Sequence, residues 1–82
     1  MLTNTDVITQ IERRLAGTLS AAALSEWAFD RFYALEQAEE TVDEVYAEVI
    51  GEVLDDLMFA DDDDFALEPA DLQRMIARLH HG

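Results

Sequence analysis

From Val42 to Met58 the apolar residues fall at steps of three and four: Val42, Val45, Tyr46, Val49, Ile50, Val53, Leu54, Leu57 and Met58. Asp43, Glu44, Glu48, Glu52, Asp55 and Asp56 occupy the positions between them. A helix turns once in 3.6 residues, so this spacing sorts the two sets onto opposite faces. The apolar face has to be covered by other elements. The other is a row of carboxylates that runs on into four successive aspartates, Asp61, Asp62, Asp63 and Asp64.

The remaining segments repeat the helical period. A first helix over 6–16 is predicted with Thr5 as N-cap, Asp6 in the first turn, and Val7, Ile8, Ile11 and Leu15 on one face. Arg13 and Arg14 suit the negative end of its dipole, and Gly17 is placed to close it. A second helix over 21–37 follows Ser20 as N-cap, with Leu24, Trp27, Ala28, Phe32 and Leu35 forming its stripe. Phe29 and Tyr33 widen that stripe, so this helix either sits centrally in the bundle or shows an aromatic patch, and the central place with their bulk inside is the expectation.

Thr41 and Glu44 read as a capping box at the start of the third helix, over 42–59. Gly51 within it is a weak helix former, which points to a close helix crossing. Four like charges in succession oppose a helix, so 60–64 is predicted as a loop, after which Phe65 and Leu67 turn back onto the core. Pro69 fits the first position of a last helix over 69–80, whose stripe is Leu72, Met75, Ile76 and Leu79. Short connections make the expected fold an all-α, small antiparallel four-helix bundle, with residues 1–82 as a single domain.

At 82 residues such a core removes only about 60% of the unfolded chain's surface from water. The chain has no cysteine, so neither disulfides nor thiolate zinc sites reinforce it. No segment approaches the roughly 20 apolar residues of a membrane span, and MLTNTD lacks the basic and apolar regions of a signal peptide. The expected location is cytoplasmic. Nineteen acidic residues face five arginines and no lysine, a net charge of −14, and fifteen of the nineteen acids lie between Arg31 and Arg74. Such a field repels nucleic acid and anionic membrane and attracts basic proteins.

Catalytic and metal chemistry find little support. Counted from Asp61 as an EF-hand loop, the sixth position is Ala66 and the twelfth Leu72, where glycine and glutamate are required. His80 and His81 are neighbours and point about 100° apart on a helix, so they do not share a metal. Ser20 and Ser25 have no evident base, and there is no glycine-rich phosphate loop. The expectation is a protein without enzymatic activity, without cofactor and without metal. Acyl carrier proteins are similar in size and acidity but carry a phosphopantetheine serine. The stretch EQAEETVDEV offers only Thr41 there, and no Asp-Ser pair occurs anywhere.

Carboxylates on one helix face at i, i+4 and i+7 rise about 6 to 10 Å per step, comparable to the spacing of backbone phosphates, and suit a basic nuclease cleft. The stretches IERRLAGTLSAAALSEWAFDRFYAL, VIGEVLDDLMFADDDDF and LEPADLQRMIARL resemble the small immunity proteins of the colicin D type and related colicin-like self-protective immunity proteins. The matching elements are a short first helix, a Leu-Ser-Ala step into an aromatic-bearing helix, a third helix closing through Leu-Asp-Asp-Leu into an aspartate-rich turn, and a short last helix. Alanines at 22 and 23 stand where acidic residues are expected, and the tyrosine-rich motif of DNase-colicin immunity proteins is absent. The resemblance implies a helical bundle that blocks a toxin's basic nuclease domain with acidic residues, here Asp55, Asp56 and Asp61 to Asp64.

The expected partner-binding set is therefore Glu48, Glu52, Asp55, Asp56, Asp61, Asp62, Asp63 and Asp64, with Trp27, Val49, Ile50, Val53 and Leu57 in the core. The alternative is an acidic helical adaptor or structural module that self-associates through the aromatic helix, its charge serving solubility alone. The expected state is a monomer or a homodimer.

Overall fold

Four helices form, and side chains that accept from backbone N–H groups mark where each begins. The computed structural model describes residues 1–61 and 67–81. Helix α1 (Asn4–Leu15) is capped by Thr3, two residues before the expected Thr5. Thr3 Oγ1 accepts from the Asp6 amide at 3.1 Å while Asp6 Oδ2 accepts from the Thr3 amide at 3.0 Å, a reciprocal box that Thr5 has no partner to build. Gly17 closes the helix with φ +80, the left-handed conformation that glycine adopts without a Cβ clash. The Thr18 and Gly17 amides then return to the carbonyls of Arg13 and Arg14.

Helix α2 (Ala21–Glu36) starts on the expected cap, Ser20 Oγ accepting from Ala23 at 3.1 Å. It ends in the same hydrogen-bond pattern as α1, but with Ala38 in the left-handed conformation at φ 59. Helix α3 (Glu44–Leu57) begins later than predicted, and Thr41 is not its cap. The Thr41 carbonyl accepts from the Leu2 amide at 2.7 Å, within an isolated parallel bridge between Leu2 and Val42. That pairing holds 41 and 42 extended, so the cap passes to Asp43, whose Oδ1 accepts from Val45 at 3.0 Å. Helix α4 (Pro69–His81) has proline first, and Asp71 Oδ2 accepts from the Glu68 amide at 3.0 Å.

The helices form a compact all-α fold in which α2 packs mainly on α3 and α1 mainly on α4. Helices α1 and α3 also touch each other, whereas α2 and α4 lie on opposite sides. Specific contacts set the directions. Asn4 Nδ2 donates to the Leu79 carbonyl at 3.1 Å, placing the start of α1 beside the end of α4. Ser25 Oγ, near the start of α2, donates to the carbonyl of Met58 at the end of α3. Both pairs are therefore antiparallel. Ser25 is buried, and its hydroxyl satisfies a carbonyl that α3 leaves unpaired.

The core contains Val7 and Ile11 from α1, Leu24 and Ala28 from α2, Ile50 to Leu57 on the inner side of α3, and Leu79 from α4. Fully burying each large apolar side chain contributes about 1.5–3 kcal/mol. Val49, Ile50, Val53 and Leu57 are buried as expected, and Leu67 packs against the same cluster. Three expectations change. Trp27 is only half-buried at the edge of the core. Phe29 and Tyr33 are 51% and 47% exposed, because α2 has neighbours on the α1 and α3 sides alone. Gly51 marks no close crossing, since a Cβ built there meets nothing within 4 Å. The predicted return of Phe65 lies outside the described residues. No helix among the described residues is long and apolar enough to cross a membrane.

Candidate functional site

The apolar period of α3 leaves Glu44, Glu48, Glu52 and Asp56 at four-residue intervals along its outer side, with Asp55 adjoining. Each step advances about 6 Å along the helix axis. All five are exposed, so burial of the opposite face by the core is what turns this row outward. Asp61 is exposed in the turn that follows. Asp62, Asp63 and Asp64, expected to extend the row, lie outside the described residues.

The row is electrostatically costly to hold. Glutamates and aspartates four apart on a helix repel one another, and no basic residue occupies the last turn of α3. Asp55 and Asp56 instead add negative charge where the helix dipole is already negative. Partial burial, followed by the proximity of Asp55 and Glu52, pushes the Asp56 carboxyl above the usual carboxylate range, with Arg78 acting in the opposite sense.

Arg78 is the member of this surface that sequence reading did not place there. It comes from α4 and donates to the Glu52 carboxylate, so the row is not uniformly anionic. Its position on the outer side of α4 is legible from the period, but its reach to α3 depends on how the two helices pack. Arg74, one turn earlier, donates to Asp71 of its own helix instead.

Among the described residues no three His, Asp or Glu side chains converge as metal ligands. Ser20 is occupied as a cap and Ser25 with the Met58 carbonyl, so both hydroxyls have structural partners. What the α3 row can do is accept charge-assisted hydrogen bonds from arginine or lysine side chains spaced along a complementary surface. The chain matches no protein-family model, and neither a curated protein nor a solved structure matches it significantly.

Proposed function

We propose that this chain is a non-enzymatic binding protein, an immunity protein whose acidic surface occludes the basic active site of a nuclease toxin. The observation that carries this reading is the exposed carboxylate row along α3, which continues through Asp55 and Asp56 into the helix end where negative charge is least favourable. A surface retained against local stability is expected where an interaction depends on it. The resemblance in pattern to colicin-like immunity proteins supports the same assignment. In this reading Glu48, Glu52, Asp55, Asp56 and Asp61 to Asp64 contact the toxin, and the association is fast and weakened by salt.

The test is protection of cells that express a nuclease toxin encoded beside this chain's gene. Changing Asp55, Asp56 and Asp61 to Asp64 to asparagine should abolish protection while the helical circular dichroism stays unchanged. Full protection by that variant would remove the assignment.

The exposure of Phe29 and Tyr33 favours a second reading, an adaptor that self-associates through α2 with its charge serving solubility. That reading requires a dimer which salt does not weaken. Sedimentation as a monomer at high concentration would exclude it.

A further inference from the structure

Helix α2 carries a second surface, apart from the α3 row in residues and in chemistry. Phe29 and Tyr33 lie one turn apart with ring centroids 4.6 Å from each other and planes tilted by 46°. Beside them, half-buried Trp27 borders two adjoining open hollows of about 360 and 530 Å³, and Asp30 lines both. Asp6 and Glu40 contribute carboxylates to the first hollow and Glu26 to the second. Arg31 also faces the first hollow, where it donates to Asp30 Oδ2 at 2.8 Å. One cation among four carboxylates leaves the surface anionic.

Aromatic faces set among carboxylates define the chemistry of what can cover them. A guanidinium stacks on exposed rings and pairs with flanking carboxylates through the same planar group, whereas an ammonium does so less well. Nucleic acid and anionic lipid are repelled. A second copy brings its own charge of −14 and would set these carboxylates against themselves. We propose that this face of α2 binds a polypeptide segment presenting arginine side chains, which stack on Phe29 and Tyr33 and pair with Glu26 and Asp30. The inference does not depend on the nuclease reading of α3.

Titration of the full chain with hexa-arginine and with hexa-lysine, followed by ¹⁵N NMR at physiological salt, tests it. Hexa-arginine should shift the Trp27 indole N–H and the amides of Phe29, Asp30 and Tyr33, with several-fold tighter binding there than hexa-lysine. Combining Phe29→Ser with Tyr33→Ser should weaken that binding about tenfold while shifts at Glu48 and Asp55 persist. Glu26→Gln with Asp30→Asn probes the same surface through charge alone and leaves the rings in place, so one variant serves if the other fails to fold. Shifts confined to α3, equal affinity for the two peptides, or unchanged binding by these variants would each overturn the proposal. A wild-type dimer that the serine variant dissociates would also overturn it, assigning the face to a second copy.

Discussion

Arg78 in the last turn of α4 donates to Glu52, midway along the carboxylate row of α3. A cation from another helix thus occupies the centre of the surface proposed to meet a basic partner. The two side chains are 46% and 54% exposed, so the pair contributes about 0–1 kcal/mol to stability.

Replacing Arg78 with glutamine should therefore lower stability by less than about 1 kcal/mol and leave Glu52 open to other cations. Binding of hexa-lysine at the Glu48, Glu52 and Asp55 amides should tighten, with urea denaturation reporting the small loss in stability. Weaker binding by this variant would mean that Arg78 holds the row in a required geometry.

Asp56 makes stability depend on pH. Its carboxyl titrates above the usual range in the folded protein, so folding favours the protonated form. That contribution is complete below the ordinary aspartate range and is lost as pH rises through the higher folded-state value. Ionised Asp56 consequently opposes folding near neutrality. Asp56→Asn should melt higher than the parent near pH 7, and the difference should shrink as pH falls through the aspartate range. An equal difference at both ends would separate the effect from ionisation.

Gly51 sits in a helix interior where the space for a methyl group is open. Gly51→Ala should stabilise the fold by about 1 kcal/mol, through helix propensity rather than contact. For a domain of this size that is a rise of about 4–8 °C in melting temperature. A fall would show that the site is more crowded than the geometry indicates.

The ends of α1 and α2 use the same backbone geometry with different residues, Gly17 at φ 80 and Ala38 at φ 59. A Cβ is unfavourable in that conformation by about 1–2 kcal/mol, partly offset by the greater freedom glycine has in the unfolded chain. Ala38→Gly should thus gain about 0.5 kcal/mol and Gly17→Ala lose about 1 kcal/mol in thermal or chemical denaturation. Changes of the same sign would contradict this account of the two helix ends.

The helices were legible because each depends on local spacing. Val7 and Ile11, or Ile50, Val53, Leu54 and Leu57, lie on one face by period alone, and all are buried. Ser20, Gly17 and Pro69 act where their own chemistry places them. Thr41 does not cap α3 because its carbonyl is taken by Leu2, a partner that precedes α1 and that local spacing around Thr41 does not reveal. For Thr3 the signal is local: Asp6, three residues on, completes its capping box.

By itself the sequence determined which side of each helix is apolar and that the outer side of α3 is a run of carboxylates, since periodicity and formal charge are local properties. Tertiary packing decided what meets each face. Because α4 lies against α1 and α3 but not α2, Arg78 reaches Glu52 while Phe29 and Tyr33 stay exposed. A helical period specifies the direction of a side chain; which neighbour covers it follows from how helices distant in sequence fill the shared core.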